Sequence, residues 1–277
     1  MAISAQDVNK LRKMTGAGMM DCKKALTEAN GDFDAAIEIL RKKGQKVSAS
    51  RSDRETNEGM VFVSTNDDNT EATLVAIGCE TDFVAKNAEF QELGESILKV
   101  AVENKPADAE ALKALPMGDL TVGEKITELI GKIGEKLEIL ALETMTGERV
   151  VPYIHAGSKL GVLVSLKNVN GADVADAGRD VAMQIAAMRP IAVDESGVAE
   201  DVKQKEMEIG KEQARAEGKP EEMLEKIAMG KLKKFFKETT LLSQDFVKEP
   251  KKSVAQYLDG VSKGLTVADF KRISVGE

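Results

Sequence analysis

Hydrophobic positions change period repeatedly along this chain, and the changes divide it into parts. Near the N-terminus Val8, Leu11 and Met14 fall on one helical face. Ser4, with Asp7 three residues on, supplies a capping-box pattern ahead of them. Gly16-Ala17-Gly18 breaks this helix, and Met19 to Ala29 reads as a second helix closed by Asn30-Gly31. Asp32 caps a third that runs to Lys43 and stops at Gly44. Three such helices predict a compact unit. Gln45 to Glu58 then loses any periodic apolar face, and its serines and alternating charges predict an exposed, flexible linker.

From Met60 the period shortens to that of strands. Met60 to Ser64 and Thr73 to Ile77 flank Asn66-Asp67-Asp68-Asn69, a cluster suited to turn geometry, so the two runs predict a hairpin. A helix with Phe90, Leu93, Ile97 and Val100 or Ala101 on one side covers it. The pattern returns as Val150 to Ile154, a glycine-bearing turn at His155 to Lys159, Leu160 to Leu166, and a helix with Val174, Val181, Ile185 and Met188 on one side. The two helices end alike, at Asn104-Lys105-Pro106 and Met188-Arg189-Pro190, which marks a duplicated strand-strand-helix unit. Between the copies lie a helix near Val122 to Gly134 and a strand near Leu137 to Glu143.

Ala199 to Lys237 is charge-dense and helical, interrupted at Gly218-Lys219-Pro220, which predicts a projecting antiparallel hairpin. Leu224, Ile227, Leu232 and Phe235 give its second arm an apolar seam; Met207 and Ile209 are the anchors of the first. A short helix near Ser253 to Leu258 and a strand near Phe270 to Val275 complete the chain. The class is α+β: a small three-helix domain and linker (1–54), a core N-subdomain (55–140), the first part of a core C-subdomain (141–195), a coiled-coil helical hairpin (196–240), and a return to the C-subdomain (241–277), with antiparallel sheets in the core.

Composition narrows the chemistry. No apolar stretch approaches the roughly 18 residues needed to cross a bilayer, and Met1 to Asp7 lacks a basic, apolar leader pattern, so a cytoplasmic protein with no membrane partner is expected. Two cysteines, Cys22 and Cys79, make no disulfide framework, and a single histidine, His155, leaves too few soft ligands for zinc; neither metal nor cofactor is expected. The net charge of −8 argues against nucleic acid as the main partner. It is unevenly spread, because residues 1–54 carry 11 basic and 7 acidic side chains, a net +4 that suits an acidic surface or a solvated helix face.

One short stretch concentrates the interest. Gly78-Cys79-Glu80-Thr81-Asp82-Phe83-Val84-Ala85 follows an apolar strand and precedes a helix, placing an acid and an aromatic at the strand's end. Two readings stand: a binding tip, or a plain turn in which Thr81 or Asp82 caps the helix and Phe83 fills the core. Cys79, His155 and Asp82 are the residue types of a thiol nucleophile, its base and an orienting acid, but nothing in their spacing brings them together, so no catalytic residue is assigned. Gly16-Ala17-Gly18 follows a helix rather than a strand and reads as a helix-helix turn, not a phosphate loop. Met19-Met20 beside it is either an adaptable contact surface or partly core.

Four segments, in order along nearly the whole chain, carry a resemblance. Lys10-Leu11-Arg12 through Thr15-Gly16-Ala17-Gly18-Met19-Met20-Asp21-Cys22-Lys23-Lys24-Ala25-Leu26, with Asn30-Gly31-Asp32, closely resembles a signature of the bacterial translation elongation factor Ts family. Cys79 to Ala85 resembles its second signature, and Ile154 to Val164 and Phe246-Val247-Lys248-Glu249-Pro250 match further family segments. The resemblance implies a guanine-nucleotide exchange factor that releases GDP from elongation factor Tu in translation without covalent chemistry, and a ubiquitin-associated-like fold for the three-helix domain. It implies that Thr81, Asp82, Phe83 and Val84 dislodge Mg²⁺ from the partner, with Phe83 as a wedge and Asp82 engaging polar groups beside it. It also implies partner contacts at Met19, Met20, Lys23, Ile133, Gly134, His155 and Val247. Two departures stand out: Lys248 lies where some relatives carry Met, and the chain ends at Val275-Gly276-Glu277 where many continue into a further helix. A homodimer through the core or the coiled coil is left open. The competing function is a protein-binding adaptor or holdase without exchange activity.

Overall fold

Ser4 opens the first helix, α1 (Ala5–Thr15), with both arms of a capping box: the Asp7 N–H donates to its hydroxyl at 3.1 Å, and its own N–H donates to the Asp7 carboxylate at 3.2 Å. The computed structural model describes residues 3–277; Met1 and Ala2, the start of the stretch read above for a leader, lie outside the described residues. With α2 (Met19–Glu28) and α3 (Phe33–Ser50), α1 encloses a small core of Val8, Leu11, Cys22, Ala25, Leu26 and Ala36. Asp32 caps α3 as expected, accepting the Ala35 N–H at 3.0 Å. Met14, expected on the buried face of α1, is instead 57% exposed.

The first repeat is β1 (Glu58–Thr65), β2 (Glu71–Cys79), the single-turn α4 (Asp82–Ala85) and α5 (Ala88–Asn104). Asn66 builds the hairpin turn by accepting the N–H groups of Thr70 and Glu71 at 2.9 and 3.0 Å. A short α6 (Ala109–Ala114) and a two-residue ladder of β3 (Pro116–Met117) and β4 (Leu120–Thr121) lead to α7 (Val122–Ile133) and β5 (Leu137–Thr146). The second repeat is β6 (Arg149–Ile154), β7 (Leu160–Lys167) and α8 (Ala175–Met188). The hairpin α9 (Glu200–Ala216) and α10 (Glu221–Thr239) follows, then β8 (Asp245–Phe246), β9 (Glu249–Ser253), α11 (Val254–Val261) and β10 (Thr266–Ser274).

Each repeat makes a three-stranded antiparallel sheet, in the orders β1-β2-β5 and β10-β7-β6, so the second strand of each hairpin is central. Centrality explains the continuous apolar run Leu74-Val75-Ala76-Ile77: β2 is covered on both faces. One face, with Val75 and Ile77, meets Phe90 and Ile97 of α5 and Ile126 and Ile130 of α7. The other sends Leu74 and Ala76 against Leu163 of β7 and Val275, so the two sheets stack with helices outside. On the far side Val162 and Val164 pack beneath Val181 and Ile185 of α8 and Leu258 of α11. The helix ends repeat as well. Lys105 and Arg189 both take the left-handed conformation at φ 48° and ψ 54°, ahead of Pro106 and Pro190. Met188, expected on the buried side of α8, is 46% exposed at that end.

Gly44 does not stop the third helix. It lies where α3 crosses α7: a Cβ on Gly131 would sit 2.7 Å from the Gly44 Cα, so that position must be glycine for the backbones to approach this closely, and a Cβ on Gly44 would press on the Thr127 carbonyl at 3.2 Å. Gln45 to Ser50 therefore continue α3 instead of beginning a flexible linker, and Thr56, further along, is buried with its hydroxyl donating to Glu138. The α9–α10 hairpin is also closed by small residues: Gly210 lies against Ala228, and Ala214 and Leu224 are buried, while Met207, Ile209, Ile227, Leu232 and Phe235 are only partly covered. Among the described residues, no helix is long and apolar enough to cross a membrane.

Candidate functional site

The turn from β2 into α5 is pinned on every side except at one residue. Thr81 caps α4, its hydroxyl accepting the Val84 N–H at 3.4 Å, which settles the choice between Thr81 and Asp82 as the cap. The carboxylate of Glu135 takes both the Thr81 N–H, at 3.0 Å, and the Thr81 hydroxyl, at 2.8 Å. Glu80 accepts the Lys136 N–H at 2.7 Å and an Arg54 guanidinium N–H at 2.7 Å. Partial burial pushes the Glu80 carboxyl up, but the Lys136 N–H and the Arg54 guanidinium outweigh it and hold the carboxyl below its ordinary value. Val84 and Ala85 drop into the core beneath α5. Asp82 pairs with Lys86 one turn on at 2.6 Å, and that hydrogen bond keeps its carboxyl ionised below the usual range.

Phe83 stands alone at 82% exposure, the most exposed large apolar side chain among the described residues. It does not fill the core. The neighbours on either side are held by hydrogen bonds, an ion pair and packing, so the ring projects from a braced base. Thr81 and Val84 belong to that base, and only Phe83 and Asp82 present themselves outward.

The end of α7 gathers other expected residues at the same place. Gly134 closes the helix at φ 82°, a left-handed position that suits glycine, and turns the chain so that Glu135 reaches Thr81. Ile133 is half-buried against the first core, and Lys132 pairs with Glu89 while lying against Gly16 of the α1–α2 break. That break leads into α2, where Met19 is 56% and Met20 64% exposed and Lys23 is exposed too. Met19 and Met20 are therefore surface, not core.

A family model described as Elongation factor TS matches residues 80–277, from the base of this turn to the end of the chain. The chain is 60% identical over 274 residues to the elongation factor Ts of Cytophaga hutchinsonii, covering 99% of each. It is 57% identical over 276 residues to that of Amoebophilus asiaticus, covering all of both chains, and 51% identical over 275 residues to that of Christiangramia forsetii, covering 99% of each. The chain belongs to the elongation factor Ts family.

In this family member His155 also lies at the wedge end. Its hairpin turn passes Ser158 and Lys159 to β1, with the Val61 N–H donating to the Ser158 carbonyl at 2.7 Å and Lys159 pairing with Glu58 at 2.9 Å; Glu58 is the register partner of Cys79. His155 is exposed, and its Nδ1 meets the Tyr153 hydroxyl at 2.8 Å. Val247 belongs to the second repeat instead: 46% exposed, it donates its N–H to Gln184 of α8 at 2.9 Å, and Lys248 beside it pairs with Asp180 at 2.5 Å.

Cys79 is fully buried, donates to the Thr81 carbonyl at 3.1 Å, and has its thiol pushed up to about 12 by burial, then by the nearby carboxylates of Glu135 and Glu58. Such a thiol is a packing group, not a nucleophile at neutral pH. Sequence reading missed Glu135, Arg54 and Lys136, the groups that brace the turn. A carboxylate directly after a helix-closing glycine was the one available signal, and it is a weak one, because nothing local says which of the chain's donors it meets.

Proposed function

We propose that this elongation factor acts as a guanine-nucleotide exchange factor for elongation factor Tu, with Phe83 as a wedge that disturbs the partner's Mg²⁺ and phosphate site. The single observation that carries the reading is a large aromatic side chain at 82% exposure on a turn otherwise fully anchored. An aromatic held out on a rigid base can enter a partner without first losing conformational freedom, so its burial free energy goes into displacing what lay there. Mg²⁺ needs a near-ideal octahedral shell bridging protein and phosphate oxygens, so a small shift of one ligand weakens nucleotide binding steeply. Asp82, ionised beside the ring, engages polar groups at the same place. Thr81 and Val84 act by holding the turn, Thr81 as the cap and Val84 as the buried anchor.

The exposed Met19, Met20 and Lys23 form a second contact surface, with Ile133, Gly134 and His155 around the wedge and Val247 as a separate point of attachment on the second repeat. Linkage requires reciprocity: GDP and this factor each weaken the other's hold on the partner by the same coupling free energy. No bond is made or broken in this reaction. Stopped-flow release of a fluorescent GDP analogue from elongation factor Tu tests the reading; catalytic amounts of the factor should accelerate release, and by a larger factor at saturating Mg²⁺ than at low Mg²⁺, where the ion is already gone. An adaptor without exchange activity would draw on the same exposed methionines, and it becomes the better reading if the factor binds the partner while the release rate stays at its spontaneous value.

A further inference from the structure

We infer that Glu135 is a positioning residue for exchange: by gripping Thr81 through two hydrogen bonds it fixes the direction in which Phe83 leaves the turn. The inference rests on the wedge reading above and extends it to a residue outside the turn.

The geometry is specific. Both carboxylate oxygens are used, Oε2 for the Thr81 N–H and Oε1 for the Thr81 hydroxyl, at 3.0 and 2.8 Å. That hydroxyl in turn accepts the Val84 N–H at 3.4 Å, so one carboxylate orients the cap and the cap orients α4. α4 is only four residues long and has too few internal hydrogen bonds to define its own direction. Phe83 is its second residue. Whatever tilts Thr81 tilts the ring.

Glu135 is itself well placed to be rigid. It follows Gly134, whose left-handed backbone closes α7, and it precedes Lys136, whose N–H is fixed on Glu80 of the same turn. α7 also carries Lys132 against the α1–α2 break and Gly131 against α3. The last turn of α7 thus sets the position of the wedge and of the three-helix unit from one element. Cys79, a neutral thiol raised first by burial and next by the negative charge of Glu135, gives a reporter of the carboxylate that needs no partner.

The test uses the full chain with Glu135→Gln, Phe83→Ala and the double variant. Glutamine keeps the shape but removes the charge, so the Thr81 N–H loses its charge-assisted bond and the Thr81 hydroxyl must accept from an amide N–H instead of donating to a carboxylate. Glu135→Gln should slow the maximal rate of GDP release about tenfold, the loss expected of one charge-assisted hydrogen bond. In a Phe83→Ala background the same change should cost less than about twofold, because it acts through the ring. Without partner, amide exchange over Thr81 to Val84 should quicken about tenfold in Glu135→Gln while β2 stays protected, and Cys79 should alkylate faster than in the parent.

Unchanged amide exchange over the turn, or equal penalties from Glu135→Gln with and without the ring, overturns the inference. If Phe83→Ala alone leaves GDP release unchanged, the wedge reading fails instead, and with it the assignment of Glu135 to exchange, even where the turn itself loosens.

Discussion

The two repeats share a hairpin, a covering helix and even the backbone angles at the helix end, yet they differ in the connection between the central strand and the helix. In the first, β2 passes into Cys79–Ala85 and holds Phe83 out in solvent. In the second, β7 passes into a loop where Asn168, Asn170 and Gly171 take left-handed angles of φ 61°, 52° and 74°, and Val169 folds back onto the second core. Each loop is caught by a carboxylate from elsewhere: Glu135 on the Thr81 N–H and Glu148 on the Val169 N–H, both at 3.0 Å. The scaffold was duplicated and the bracing kept, but the tip was specialised in one copy only. The wedge proposed above lies in a loop grafted on a repeated frame, not in the frame.

The sharpest way to break this comparison is to remove the tip. Phe83→Ala should leave the melting temperature unchanged and slow GDP release from elongation factor Tu by roughly thirtyfold or more, the loss typical of an aromatic anchor at an interface. Asn170→Ala in the equivalent loop should strain a left-handed position by about 1 kcal/mol yet leave release within about twofold. If the two substitutions slow exchange equally, the loops are not functionally distinct.

Next in size is the α3–α7 crossing. Gly131→Leu inserts a side chain where a Cβ alone would meet the Gly44 backbone at 2.7 Å, so it should cost about 1–3 kcal/mol, or separate α3 from the core. Thermal melts and limited proteolysis near Gln45 to Ser50 check both outcomes. Resistance to protease with an unchanged melt would mean that the crossing is not tight in solution.

Acid should loosen the first loop through Glu80. Its folded-state carboxyl lies below its unfolded value of about 4.5, so the stabilisation is fully present above that value and is lost as pH falls through the folded-state value. Glu148, also lowered by the N–H groups of Val169 and Asn168 but fully exposed, should contribute less. Amide exchange corrected for intrinsic rates should therefore be flat from about pH 7 to about pH 5 in both loops, then rise first over Thr81 to Val84. A rise above pH 5 would point to another group. The smallest effect is expected at Lys86→Ala, which removes an exposed, solvent-screened pair and should change release by less than about twofold at moderate salt.

Much of the frame was legible because its signals are local. Ser4 with Asp7, the Asn66–Asn69 turn and Gly218-Lys219-Pro220 each act within a few residues, and the structure places caps and turns there. The repeat was legible because strand and helix periods return in order. Gly44 misled because a glycine's effect depends on its surroundings: alone it favours a helix end, but opposite Gly131 it permits two helices to touch. The seam of the α9–α10 hairpin was legible only in part for a similar reason: Leu224 is buried as expected, but Ile227, Leu232 and Phe235 are only partly covered. Large apolar residues suggest a seam, yet the closest packing comes from Gly210 and Ala228.

By itself, the sequence determined the order of the main elements, the duplication, the class and the family, because caps, turns, periodicity and signature segments are written in neighbouring residues. Whether Phe83 faced core or solvent was decided only by tertiary structure. The turn's direction depends on Glu135, 54 positions from Thr81, and on Arg54 and Lys136 gripping Glu80. A hydrogen bond between distant residues leaves no period in the chain, so only the folded structure turns an ambiguous aromatic into an exposed tip.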